Sequence, residues 1–277
     1  MNGRVLLVGG SDPGGGAGIQ ADVKAVTALG GYAATAITAL TVQDTRAVYE
    51  IMPVPAGFML RQLRAVLDDI GADCLKTGML VSANVVDALC DELSERYSDI
   101  PLVVDPVMAA KDGQRLLDMD GCAVLKDRLI PRAAVLTPNV PEAEYLTGLS
   151  ITKLAEVKVA AKSLLGLGAG AVLITGGHLA GEHVSDVLLT ESEEHVFTAP
   201  RIPTRHTHGT GCTLASAIAA GIAQGLPLIS AVERAKAYVL HALRHAPGLG
   251  QGQGPLGHAY PWEAVPPKKR KIPTSGG

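Results

Sequence analysis

Short, unbroken apolar runs alternate with longer stretches of mixed polarity along most of the chain. Residues 5–8, 33–40, 74–77, 102–105, 133–137 and 171–175 are too continuously apolar to keep one face in water. They read as strands buried on both faces of a parallel sheet. Residues 19–29, 55–70, 82–97, 152–167, 212–224 and 228–245 carry the wider spacing of helices, with Ser82 as a candidate N-cap. Residues 47–51 read as a β flap, and 184–190 with 195–199 as a hairpin. Strand-helix alternation with right-handed crossovers predicts an α/β fold: a three-layer α/β/α sandwich around a mainly parallel central sheet, with a small β flap. Residues 1–246 then form one domain, and the glycine-rich residues 247–265 belong to it. The basic run at 266–277 reads as a disordered tail.

Composition narrows the function classes. The 277 residues are 47% hydrophobic, enough for a large core, and the net charge of −3 lacks the basic face of a general nucleic-acid binder. Aromatics make up only 3%, which leaves few platforms for stacking bases. A small-molecule partner is therefore expected, with no nucleic acid and no membrane. Cys74, Cys90, Cys122 and Cys212 are scattered with no ligand-like spacing, which suits reduced thiols in a cytoplasm. The N-terminal apolar run is too short for a signal peptide or a membrane span.

Two glycine-rich stretches carry the candidate chemistry. Thr207-His208-Gly209-Thr210-Gly211-Cys212-Thr213 opens directly into a helix, so the amides of Gly209, Thr210 and Gly211 point out along the positive end of the helix dipole as an anion hole. Cys212 sits in the same field, which favours thiolate and lowers a free pKa of roughly 8.5. An anion hole beside a base suits phosphoryl transfer to an alcohol. A small-residue turn before a packed helix is the plainer alternative. The first stretch, Ser11 to Gly18, looks like a nucleotide loop, yet it fits neither G-x-G-x-x-G nor a P-loop.

Other polar residues cluster just after predicted strands, at the edge where open α/β sheets bind ligands. Asp22 is placed to face that crevice, against the alternative of a solvated helix carboxylate. Gln43 offers a donor and an acceptor to a heterocycle edge. Asp105 ends a strand where a carboxylate meets Mg²⁺ or its waters, and Asn139 and Glu142 flank a helix start. Glu142 can equally be a favourable first-turn charge. His206 and His208 lack further metal ligands nearby and read as loop-packing or phosphate-contacting.

The chain resembles the hydroxymethylpyrimidine and phosphomethylpyrimidine kinases of thiamine biosynthesis, within the ribokinase-like superfamily. The resemblance rests on Gly10 to Asp22, Thr38-Ala39-Leu40, Lys76-Thr77-Gly78-Met79, Asp105-Pro106-Val107-Met108, Thr137-Pro138-Asn139, Gly176-Gly177-His178 and Thr207 to Cys212. It implies ATP-dependent phosphorylation of 4-amino-5-hydroxymethyl-2-methylpyrimidine and then of its monophosphate, with Mg²⁺, in a cytoplasmic homodimer. It implies a pyrimidine site at Gly10, Asp22, Gln43, Met79 and Val107, and a Mg-nucleotide side at Asp105, Asn139, Glu142, Thr175 and Gly177, with Asp105 and Glu142 toward the metal. Cys212 stands where sugar-kinase relatives carry an aspartate base. Thr175 departs from the lysine that many relatives carry before Gly-Gly-His. The alternatives are a pyridoxal or pyridoxine kinase and a catalytically silent ligand-binding regulator.

Overall fold

A computed structural model describes residues 2–110 and 113–259. The basic run at 266–277 and the last residues of the 247–265 segment lie outside the described residues. The elements in order are β1 (Arg4–Ser11), α1 (Gly18–Ala28), β2 (Tyr32–Gln43), β3 (Val48–Pro53), α2 (Ala56–Asp69), β4 (Cys74–Thr77), α3 (Ala83–Arg96), β5 (Leu102–Val104) and α4 (Met119–Val124). They continue with β6 (Val135–Leu136), α5 (Val140–Thr147), α6 (Leu154–Leu165), β7 (Ala171–Ile174), β8 (His183–Thr190), β9 (Glu194–Pro200), α7 (Thr210–Ala223) and α8 (Leu228–Arg244).

The sheet runs β3-β2-β1-β4-β5-β6-β7-β8-β9. Its centre, from β2 through β7, is parallel, and β3, β8 and β9 join antiparallel at the two edges. The period of two along β1 builds both cores: Leu6 and Val8 face one cluster with Met59, Leu63, Leu89 and Val157, while Val5 and Leu7 face the other with Ala215, Ile218 and Val239. Helices α2, α3 and α6 therefore cover one face and α1, α7 and α8 the other. α7 is buried from Thr213 to Gly221, so its small residues are apolar on every side as it crosses beneath the sheet.

From β1 the chain goes to β2 on one side and later returns to β4 on the other. That reversal opens a crevice at the carboxyl ends of β1 and β4, where the Ser11–Gly18 loop and Gly78-Met79 lie.

Three local expectations are corrected. Residues 119–132, left without an element by the pattern, form α4 followed by a π turn and a 3₁₀ turn. Ser82 occupies the N-cap position but makes no side-chain cap; Asp118 accepts from Ala83 N–H at 3.1 Å and from Gly121 N–H at 2.6 Å. The strand at 102–105 stops at Val104, which leaves Asp105 in the loop. The C-terminal strap folds back over the flap and the start of α7: Gln253 N–H donates to Thr45 O at 2.7 Å and His208 N–H to Gly254 O at 3.1 Å.

Candidate active site

The two glycine-rich stretches interlock. Asp12 is 3% exposed, and its carboxylate accepts from the amides of Gly14 (2.8 Å), Gly16 (3.1 Å) and Ala17 (2.8 Å). Burial alone would raise this carboxyl; the His208 hydrogen bond and the loop amides overcome it and hold the group below its usual range. Gly209 caps α7 with a left-handed φ of +81°, and a Cβ there would sit 1.9 Å from Gly16 O. Only glycine lets the two backbones meet. Thr210 N–H turns back to Thr207 O at 3.3 Å. The amides of Gly209, Gly211 and Cys212 are without an acceptor among the described residues, while that of Thr210 is taken.

Beneath it lies a buried charge cluster. Lys76 is 0% exposed, and its ammonium lies 3.1 Å from both oxygens of Asp22 and 3.7 Å from Asp105 Oδ2. Ser216 Oγ donates to Asp22 Oδ1 at 2.7 Å. Burial works against the Lys76 ammonium, and the charges of Asp22, Cys212 and Asp105 reverse this, holding it above its ordinary value. Asp22 does not face an open crevice as expected: it is 1% exposed and committed to Lys76 and Ser216.

The expected depression of the Cys212 thiol is overturned. The residue is partly open to solvent, yet burial pushes its thiol up to about 12, with Asp105 and Asp22 adding to the rise and Lys76 and the Gly18 amide opposing it. Loss of water around the sulfur outweighs the helix field.

Asn139 and Glu142 form a reciprocal capping box at α5: Glu142 N–H donates to Asn139 Oδ1 and Asn139 N–H to Glu142 Oε2, both at 2.9 Å. Glu142 therefore does have a structural role at the helix start. Burial and the charge of Asp105 also push it up to about 8. Asp105 rises to about 6 through burial and Asp22, against Lys76. Two repelling carboxyls, with Asp105 Oδ2 buried and lacking a hydrogen-bond partner, form the hard-oxygen donor set that a divalent cation relieves. No cluster of three or more His, Cys, Asp or Glu ligands occurs among the described residues.

Asn139, Glu142, Gly177, Thr210 and Gly211 line a single cleft of about 1060 Å³. A Cβ at Gly177 would meet nothing within 4 Å, so the protein itself leaves space there. Thr175 is half-buried beside it, bridged to Asn139. Gly10 and Met79 touch across β1 and β4, since a Cβ on Gly10 would lie 3.0 Å from Met79 Sδ. Val107 is half-buried next to Met108, which lines the cleft. Gln43 falls elsewhere, in a hollow of about 430 Å³ between flap and strap, and Ala110 borders both spaces. The two spaces adjoin at Ala110, and the strap residues Gln251, Gly252 and Gln253 line the smaller.

Against known proteins, the phosphomethylpyrimidine kinase family model matches residues 12–257. The chain belongs to the phosphomethylpyrimidine kinase family. It is 46% identical to the hydroxymethylpyrimidine/phosphomethylpyrimidine kinase of Streptomyces coelicolor, over 92% of this chain and 94% of that one. It is 51% identical over 95% of its length to the thiamine biosynthesis bifunctional protein ThiED of Geobacter sulfurreducens, of which it spans 54%. The ADP complex of Bacillus subtilis pyridoxal kinase superposes with a TM-score of 0.87 at 33% identity, covering 94% of this chain and 98% of that one. The ribokinase-like fold, the kinase activity and the use of ATP follow from these matches. No helix among the described residues is long and apolar enough to cross a membrane.

Sequence reasoning missed several residues of this kinase. The sequence gives Lys76 no role of its own, because nothing in one dimension shows that its side chain is buried against two acids. Asp12 and His208 form the hinge of both glycine stretches, with His208 Nε2 2.9 Å from Asp12 Oδ2. Asp186 accepts from Gly176 N–H at 2.8 Å and pairs with Lys236, which also lines the 1060 Å³ cleft. Lys236 is a cation in the cleft of a family member that lacks the lysine at Thr175.

Proposed function

We propose that this kinase phosphorylates the hydroxymethyl group of 4-amino-5-hydroxymethyl-2-methylpyrimidine with Mg-ATP, and then phosphorylates the resulting monophosphate. The observation that carries this reading is the approach of Gly211 to Asp105. A Cβ on Gly211 would lie 3.9 and 4.0 Å from the two Asp105 oxygens, so the acceptor-free amides at the start of α7 adjoin buried Asp105, while Gly211 and Glu142 both line the cleft. Phosphates held by the amides therefore meet the place where a metal-bearing acid pair is needed.

Cys212 Sγ takes the hydroxymethyl proton as the substrate oxygen bonds to the γ-phosphorus and the bond to ADP breaks. The sulfur must be thiolate for this, a form that Lys76 favours and the neighbouring carboxylates oppose. Asp105 and Glu142 would hold Mg²⁺, which would neutralise the phosphates and that carboxylate field. Gly10, Met79 and Val107 wall the ring, Gln43 reads its edge, and Asp22 acts through Lys76. Asn139, Thr175 and Gly177 shape the nucleotide side.

Residues 1–246 and 247–265 work as one kinase unit, in the cytoplasm and as a homodimer. An apolar strip on the flap supports association: Leu40 and Met52 pair across β2 and β3, and Leu40, Val42 and Met52 are 41%, 55% and 55% exposed.

The test is an ATP-coupled assay that separates monophosphate from diphosphate products, run in parallel with pyridoxal. Both phosphorylated pyrimidines are expected. A larger kcat/KM for pyridoxal would reassign the substrate, and no pyrimidine-dependent ATP consumption would leave a silent regulator.

A further inference from the structure

Gln43 meets the rest of the protein through both ends of its amide. As placed, its Nε2 lies 3.2 Å from His208 Nε2 and its Oε1 3.1 Å from Thr41 Oγ1, two ends that differ only in which atom is nitrogen and which oxygen. The proton count at the two neighbours decides which end is which. Asp12 accepts from three loop amides and is an acceptor only, so His208 Nε2, at 2.9 Å from Asp12 Oδ2, carries the hydrogen. An amide NH₂ facing that N–H would oppose donor to donor; a carbonyl there shares the hydrogen with Asp12.

At the other end the accounting agrees. Thr41 has one hydroxyl proton with Ser11 O at 3.0 Å and the Gln43 amide at 3.1 Å; given to Ser11 O, which can only accept, it leaves a lone pair for Gln43. That lone pair needs an N–H. The Gln43 carbonyl therefore points to His208 and its NH₂ to Thr41, with one N–H and one carbonyl lone pair left for a ligand.

The imidazole is locked in place. A Cβ on Gly16 would lie 2.5 Å from His208 Cδ2, so the loop backbone lies against the ring face, and the His208 amide is tied to Gly254 O. Gln43 and His208 also line the same 430 Å³ hollow.

We propose that His208 is a positioning residue that fixes which way round Gln43 presents its donor and acceptor to an aminopyrimidine edge. This rests on the kinase reading above. An aminopyrimidine offers an exocyclic N–H beside a ring-nitrogen acceptor, a pair that the oriented amide matches and a freely turning amide matches in only half its settings.

The first measurement is kcat/KM for the aminopyrimidine and for its analogue lacking the amino group, with wild type, His208→Ala and His208→Gln. Wild type should favour the aminopyrimidine by about tenfold or more, the worth of one well-made hydrogen bond. That ratio should fall toward one in His208→Ala and return in His208→Gln, whose amide N–H can stand where Nε2–H stood. A purely structural histidine would lower both substrates alike and keep the ratio, which overturns the proposal, as does a wild-type ratio near one. Should His208→Ala not fold, ¹⁵N NMR of histidine-labelled wild type decides: Nε2 protonated supports the arrangement, and a neutral Nδ1–H tautomer overturns it. A wild type inactive on both pyrimidines sinks the kinase reading, while the tautomer result still judges the His208 arrangement.

Discussion

Lys76 and Asp22, 54 positions apart in sequence, meet in the dry interior with the ammonium 3.1 Å from each carboxylate oxygen. The pair joins β4 to α1, and Asp105 stands 3.7 Å from the same nitrogen. One buried cation thus balances acids from two elements.

Lys76→Met should destabilise the protein by about 3–5 kcal/mol, because it strands buried carboxylates rather than removing a contact. Adding Asp22→Asn should recover part of the loss. Urea unfolding of the single and double variants checks this, and additive losses would refute the coupling.

Gly209→Ala meets both a left-handed φ of +81° and the Gly16 carbonyl at 1.9 Å. Gly225→Ala has a comparable φ of +77° with nothing within 4 Å. The second change should cost about 1–2 kcal/mol, the conformational share alone. The first should cost more and also lower turnover by displacing the start of α7. Comparing the two melting transitions separates collision from conformation.

Cys212→Ala should lower kcat by about 10²–10⁴-fold if the sulfur accepts the proton. KM for ATP should change little. Cys212→Asp should retain more turnover than the alanine variant. Full turnover of Cys212→Ala on both steps, at saturating substrate, removes the sulfur from the chemistry.

Glu142 gives stability a pH dependence of predictable sign. Its carboxyl is raised from 4.5 to about 8, so between those values the folded state binds more protons than the unfolded chain. Its contribution therefore falls as pH rises from about 5 to 8. Glu142→Gln keeps a side chain able to complete the capping box and removes the titration. The melting temperature of wild type should lose ground to Glu142→Gln across that window. Millimolar Mg²⁺ should narrow the gap, since a bound cation favours the carboxylate.

Thr175→Lys restores a cation beside the cleft. It should lower KM for ATP by about tenfold, the scale of one charge-assisted contact, with little change in kcat. Unchanged nucleotide affinity would indicate that Lys236, already in the cleft, serves that need.

The apolar runs at 5–8 and 74–77 and the glycines around 209 specified β1, β4 and the start of α7, because burial periodicity and a positive φ are local demands that a sequence displays directly. The motifs from Gly10 to Asp22 through Lys76-Thr77-Gly78-Met79 and Asp105-Pro106-Val107-Met108 to Thr207–Cys212 together pointed to the family that the comparison shows. What the tertiary structure decided was ionisation and company. Cys212 sits in a helix field that lowers a thiol's pKa, yet its desolvated, acid-flanked sulfur has the opposite shift. Asp22 resembled a solvated carboxylate until Lys76 met it from β4, and the amide of Gln43 gained its neighbours only when Thr41 and His208 closed on it. Charge state and hydrogen-bond direction depend on which distant groups exclude water from one another, and only folding brings those groups together.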